Sequence, residues 1–294
     1  MTHALEALLV RGMAGCAAAA PRALDHGAAL GDLARSLGLR RRVAESNLAR
    51  AFPERSREER RAILVEHYRE VGRVAWEYPR LGRLVHAADG EVVEAEGLEH
   101  LDAVRARGRG AILLTGHFGN FELVGAWLGK RQPMDFVVKP LSNPRVESMI
   151  ATWRREAGVG SIPIGVGARR IFAALRENRW VAMLGDQDAR RSGVFVPFFG
   201  TPSSTPAGPA AIALRAGAPI VMGFDIRLPD GRHRLVVTPP LPMPEGNGDD
   251  AVRALTASHA AVLEEWVRRH PAMWLWLHRR WKTPPPGRDP SSEG

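Results

Sequence analysis

From residue 92 onward, short apolar and partly β-branched runs alternate with stretches of helical periodicity. The runs predict strands over 92–94, 111–115, 136–138, 161–164, 180–184, 219–226 and 234–238. Helices are predicted over 98–107, 120–128, 145–157, 168–178, 208–216 and 251–269. Alternation at this spacing predicts an α/β fold: a central, mostly parallel or mixed sheet flanked by helices. The first fifty residues read differently. Leu5, Leu8, Leu9, Leu24, Leu30, Leu33 and Leu37 mark helical segments that end at Arg40-Arg41-Arg42. An apolar helix beside a basic cluster can rest on anionic headgroups, or pack on the protein body with a solvated basic end. Ser56-Arg57-Glu58-Glu59 is a capping box opening a further helix, with Ile63, His67, Val71 and Val74 on its core face. The chain thus divides into a helical, membrane-associating segment (1–50), an α/β domain (51–283) and a proline-rich tail (284–294) expected to be disordered.

Chemistry concentrates where one strand meets one helix. The apolar run Ala111-Ile112-Leu113-Leu114 stops at Gly116, His117 follows at once, and Glu122 stands at the start of the next periodic segment. On one continuous helix, residues five apart would point about 140° away from each other. Glycines at 116 and 119 allow His117 to lie in a turn before the helix and Glu122 in its first turn. A histidine and a carboxylate together make a hydroxyl-activating base. The free N–H groups of the helix start, near Gly119 and Asn120, would then face an oxyanion or a phosphate. The plainer alternative is a core histidine beside an N-terminal helix glutamate.

Asp186-Gln187-Asp188 follows the strand at 180–184. Two acids there can bind a metal, orient a base or cap a turn, and a turn is the ordinary outcome. Arg190-Arg191-Ser192 either holds a phosphate or is solvated. The phenylalanine-rich stretch 193–200 reads as an apolar loop, lining an acyl channel or joining the core. Residues 270–282 mix tryptophans with cations, which suits a membrane interface or nucleic acid, or else buried tryptophans with stacked arginines. There is no Walker loop, no Gly-x-Ser-x-Gly elbow, no His-Glu-x-x-His and no pair of cysteines.

The net charge of +9 favours anionic partners. Arginine carries nearly all of it, with lysine only at 130, 139 and 282. The single cysteine, Cys16, excludes an intrachain disulfide and fits a reducing compartment. The long uncharged stretch 192–214 contains Pro197, Pro202, Pro206 and Pro209, so it reads as a loop region and not a membrane span. No nucleic-acid-binding signature appears.

Over residues 40 to 287, the chain resembles the bacterial lipid A biosynthesis acyltransferases, within the wider glycerophosphate-type acyltransferases. The resemblance rests on six blocks in family order: Asn47-Leu48 with Phe52-Pro53; Thr115 to Glu122; Asn143-Pro144; Asp186-Gln187-Asp188; Gly193 to Gly200; and Trp274 to Lys282. It implies a glycerophosphate-acyltransferase-like fold and a His-x-x-x-x-Glu mechanism, with His117 as general base and Glu122 in its support. It further implies Arg154 near the active site and Asp186 or Asp188 as a nearby acid. Lys139, Arg154 and Arg190 are candidates to hold acceptor phosphates. The implied donor is a fatty acyl chain on acyl carrier protein, or acyl-CoA. The implied acceptor is a lipid A precursor or related glycolipid; the alternatives are a phospholipid or other lipid acceptor (a lysophospholipid, an aminolipid or a phosphatidylinositol mannoside) with acyl-CoA, or a protein that binds lipid without catalysis. No metal or other cofactor is implied, and the implied place of action is the cytoplasmic face of the inner membrane, as a peripheral or monotopic protein. The family commonly has Tyr-Arg-Pro where this chain has Val138-Lys139-Pro140; Lys139 keeps the charge and loses the bidentate fork.

Overall fold

A computed structural model describes residues 3–19, 24–165 and 167–287. All seven predicted strands form one sheet: β1 (Val93–Glu96), β2 (Ala111–Thr115), β3 (Met134–Val138), β4 (Gly160–Pro163), β5 (Trp180–Leu184), and two later strands, Ile220–Arg227 and His233–Val237. Between β5 and these lies a hairpin, β6 (Val194–Phe198) and β7 (Thr201–Thr205), so the later strands are β8 and β9. The sheet order is β1-β9-β8-β2-β5-β3-β4. Every neighbouring pair is parallel except β8 with β9. The predicted α/β class with a mostly parallel, mixed sheet is what forms.

Helices cover both faces, which explains the strand sequences. In β2, Ile112 and Leu114 enter one core with Val181, Met183, Ile220 and Met222. Ala111 and Leu113 enter the other with Trp180, Val221, Met134 and Phe136. A strand buried on both sides needs an unbroken apolar run rather than alternation. The first core is closed by α9 (Ala168–Arg176), α10 (Gly208–Ala216) and α11 (Asp249–Arg269). The second is closed by α6 (Leu98–Arg105) and α7 (Phe121–Leu128). α8 (Pro144–Glu156) lies between β3 and β4.

Upstream are α1 (His3–Ala19), α2 (Leu24–Ser36), α3 (Arg41–Ala51), α4 (Arg57–Glu77) and the short α5 (Leu81–Val85). The capping box at Ser56 and Glu59 is made in both directions. α2 crosses α4 with backbones in near contact. A Cβ on Gly31 would run into the Tyr68 carbonyl, and one on Gly72 into Gly27. α2 therefore packs on the body while Leu33 stays exposed.

One expectation changes, and one pair of open alternatives is decided. Residues 194–205 are not a loop but the β6–β7 hairpin, with Pro197 opposite Pro202. Both strands are edges, so prolines are tolerated where no ladder bond is needed. Phe199 (φ 52) and Gly200 (φ 68) form its two-residue turn, the doubly left-handed geometry that matches strand twist. The tryptophans near the C-terminus are interior: Trp274 and Trp276 are fully buried, and Arg280 is buried over the Phe198 ring. Of the expected disordered tail, residues 288–294 lie outside the described residues.

Candidate active site

Strand register brings two of the candidate site residues together. Thr115, the last residue of β2, pairs with Leu184, the last of β5. Two residues beyond each end stand His117 and Asp186, side by side at the carboxyl edge of the sheet, where open α/β folds bind ligands. β3 pairs with β5 on its other side and ends at Val138, so Lys139 emerges at the same edge.

Asp186 grips His117 at two points. Its Oδ1 lies 2.8 Å from the imidazole Nδ1, and its Oδ2 accepts the His117 backbone N–H at 2.8 Å. Trp274 Nε1–H donates to the same Oδ2 at 2.9 Å. The carboxylate is buried while the imidazole keeps some exposure. Nδ1 donates to this carboxylate, so Nε2 carries the lone pair, 3.2 Å from the Gln187 side-chain amide nitrogen. Burial works against charge on both partners, and their mutual attraction wins. Asp186 is held down to about 2. The His117 pKa is raised above its ordinary value: burial lowers it, but the Asp186 charge and hydrogen bond, then the Glu122 charge, outweigh burial.

The orienting role expected for Glu122 is therefore corrected. Its carboxylate accepts from Arg154 Nε at 3.0 Å and from Arg154 Nη2, and it reaches His117 only through its charge. Glu122 and Arg154 form a nearly buried pair, with Tyr78 beside it. Arg154 is thus near the site as expected, committed to a carboxylate. The expected oxyanion donors are corrected as well. The Gly119 N–H donates to the Met273 carbonyl at 2.9 Å, and the Asn120 N–H to Asp225 Oδ2 at 2.6 Å. Gly119 and Asn120 shape the turn and offer no free N–H to a substrate.

The turn itself is clamped by the C-terminal segment. Besides the Gly119 bond, the Leu275 N–H donates to the His117 carbonyl at 2.9 Å. Gly119 has φ 55, and a Cβ there would lie 2.5 Å from Asp225 Oδ2 and 2.6 Å from its carbonyl oxygen. Gly119→Ala is expected to destabilise the fold by about 3 kcal/mol and to lower activity in the molecules still folded. Urea unfolding midpoints check the first effect; an unchanged midpoint would contradict this packing.

An open cavity of about 610 Å³ lies just past β3, β4 and β5, lined by Lys139, Pro140, Ile164, Asp188, Ala189, Arg190 and Ser192. Asp188 also accepts from Arg190 N–H at 3.0 Å and from the Thr283 hydroxyl and N–H at 2.8 and 3.1 Å, tying residue 283 to the cavity wall. Arg190 takes a left-handed backbone (φ 58), unusual for a side chain of its size. Nothing in the sequence pointed to Asp225, and Gln187 and Trp274 showed no role in the site. The sequence showed Asp186 only as one of two acids following the strand at 180–184, either of which the resemblance made a nearby acid; its place beside His117 comes from the β2–β5 register. Among the described residues, no group of histidine, cysteine, aspartate and glutamate is arranged to hold a metal ion.

The model of bacterial lipid A biosynthesis acyltransferases matches residues 5–283. The lipid A biosynthesis lauroyltransferase of Escherichia coli K12 is 33% identical over 273 residues, covering 89% of this chain and 85% of that protein. A phosphatidylinositol mannoside acyltransferase of Mycobacterium tuberculosis is 33% identical over 193 residues, 63% of this chain and 58% of that one. The solved 1-acyl-sn-glycerophosphate acyltransferase of Thermotoga maritima aligns with a TM-score of 0.38 at 16% identity, over 90% of this chain and 97% of that one. With the family pattern running from residue 5 to 283, the chain belongs to the bacterial lipid A biosynthesis acyltransferase family.

Proposed function

We propose that the protein moves a fatty acyl chain from a thioester to a hydroxyl of a lipid acceptor, with His117 as general base. The observation that carries this is the fixed imidazole: Nδ1 is held on Asp186 and Nε2 keeps its lone pair. Nε2 takes the hydroxyl proton as that oxygen attacks the thioester carbonyl. The tetrahedral intermediate then collapses, the C–S bond breaks, and the leaving thiolate takes the proton back from the imidazolium. Asp186 stabilises the imidazolium directly. Glu122, paired with Arg154, adds a more distant negative charge.

In this reading, Lys139 and Arg190, two cations at one cavity, hold an anionic group of the acceptor or donor. Asp188 shapes that cavity. The donor is an acyl carrier protein thioester; that carrier is acidic and the chain carries +9, so opposite charges favour docking. The acceptor is a lipid A precursor. The similarity to a phosphatidylinositol mannoside acyltransferase supports a second reading, with a phosphatidylinositol mannoside as acceptor; acyl-CoA is the alternative donor.

The apolar surface supports work at the cytoplasmic face of the inner membrane, peripherally bound. Among the described residues, no helix is long and apolar enough to cross a membrane. Leu5, Leu8 and Leu9 of α1 are exposed, as are Leu33, Leu37 and Leu39 just before Arg40-Arg41-Arg42. α1 is tied to the cavity side, since Asn143 Nδ2 donates to the His3 carbonyl and to Glu6 at 2.9 Å. Exposed Leu141 and Ile164 stand beside Pro140 and in the cavity wall. A lipid acceptor would enter from that side.

The test offers lauroyl-acyl carrier protein and lauroyl-CoA in parallel, each with a tetra-acylated lipid A precursor and with a phosphatidylinositol mannoside. Mass spectrometry should find one added lauroyl group on one acceptor, with matching thioester loss. No acceptor-dependent thioester loss in any pairing would refute the proposal.

A further inference from the structure

Behind the reacting turn lies a second imidazole–carboxylate couple that the mechanism does not use. His233, on β9, places Nδ1 3.0 Å from both oxygens of Asp225, on β8, and both side chains are essentially inaccessible. Asp225 Oδ2 also accepts the Asn120 N–H at 2.6 Å. His233 Nε2 lies 3.4 Å from Glu77 Oε1, at the end of α4, and Glu77 Oε2 accepts from Asn120 Nδ2 at 2.8 Å. Asn120 Oδ1 in turn accepts the Leu123 N–H at 3.1 Å, capping α7. Arg227 completes the cluster: it donates to Glu77 through Nη1 at 2.5 Å and Nη2 at 2.9 Å, and to Glu70 through Nε at 2.7 and 2.9 Å.

Every polar group of Asn120 that could rotate or slip is therefore held. The held residue joins His117, three positions before it, to Glu122, two after it. Burying three carboxylates (Glu70, Glu77, Asp225) costs far more than a core of ordinary side chains, and balance requires cations beside them. Arg227 supplies one. His233 supplies another: burial disfavours its charge, but Asp225 and Glu77 outweigh burial and push it up to about 10. A fold needing only stability could fill this space with apolar side chains. What the ion cluster adds is a fixed position for one backbone N–H and one side-chain amide.

We infer that Asp225, His233 and Glu77 are positioning residues for acyl transfer, holding the turn through Asn120 so that the His117 imidazole meets Asp186 and the substrate in one geometry. The inference rests on His117 being the base. A displacement of about 1 Å at a reacting group costs on the order of 10²-fold in rate, so loosening this anchor acts on kcat and leaves donor binding alone.

The experiment compares Asp225→Asn with Glu70→Gln, using lauroyl-acyl carrier protein and the acceptor on which the wild-type protein acts. Glu70 belongs to the same ion cluster and touches nothing in the turn. Both variants should melt earlier than wild type. Per folded molecule, Asp225→Asn should lose about 30-fold in kcat with KM for the thioester within about twofold, and Glu70→Gln should keep kcat within about twofold. Equal losses in the two variants, or full kcat in Asp225→Asn, would overturn the inference. If Asp225→Asn does not fold, Asn120→Ser decides. Serine can still cap Leu123 and keeps its backbone N–H for Asp225, but it has no amide for Glu77. A kcat about tenfold lower at unchanged KM supports the inference, and an unchanged kcat overturns it. His117→Ala, measured alongside, separates the two levels. Full activity there would remove the base and overturn both readings, whereas loss there without loss in Asp225→Asn overturns the positioning role alone.

Discussion

His117→Ala is expected to lower kcat by about 10³-fold while the protein folds and binds its thioester donor nearly as before. The alanine removes the one side chain among the described residues that both rests on Asp186 and presents a lone pair at the sheet edge. The imidazole is not a structural plug: it keeps partial exposure, and the turn is held by the backbone bonds of His117 and Gly119 with residues 273–275. The melting temperature should therefore change little. Single-turnover acyl transfer at saturating donor isolates the chemical step. A variant within tenfold of the wild-type rate would exclude His117 as the base.

Asp186→Asn should be comparably damaging, by about 10² to 10⁴-fold. Asparagine keeps the shape, but its amide cannot accept at both oxygen positions. It can present N–H to Nδ1, which favours the tautomer whose Nε2 carries a proton and is no base. The pH profile adds a signed test. The free base acts, so the rate rises with pH through the His117 pKa, which lies above 6.5 in the intact protein. Burial lowers that pKa, and Asp186 supplies the two largest effects that raise it. In Asp186→Asn, burial persists and those effects go, so the rising limb should move to lower pH even as the plateau falls. Glu122→Gln should move the limb the same way by less, since Glu122 acts on His117 through charge alone. A larger shift in Glu122→Gln than in Asp186→Asn would restore the glutamate as the principal partner.

The sheet was legible because each strand buried on both faces needs an unbroken apolar run, and such runs are short and bounded. The turn at 116–120 was legible because glycine, histidine and asparagine break periodicity between a strand and a helix. The partner of the histidine was harder to read. Glu122 is near in sequence, and its helix start makes it look available, but Arg154 from α8 claims it. Asp186 lies 69 positions away and becomes a neighbour only through the β2–β5 register, which no local pattern encodes. The same holds for Asn120, which looked like an oxyanion donor until β8 placed Asp225 against its N–H. The hairpin at 194–205 was obscured by Pro197 and Pro202, which argue against strands except at an edge, and edge status is a property of the finished sheet.

Trp274 reaches back across 88 positions to Asp186, and residues 273–275 fasten the histidine turn. A chain still being synthesised has His117 and Asp186, the proposed base and its carboxylate, well before this brace emerges from the ribosome. Acyl transfer competence should therefore wait for residues 273–275, so that nascent chains lacking them cannot consume thioesters.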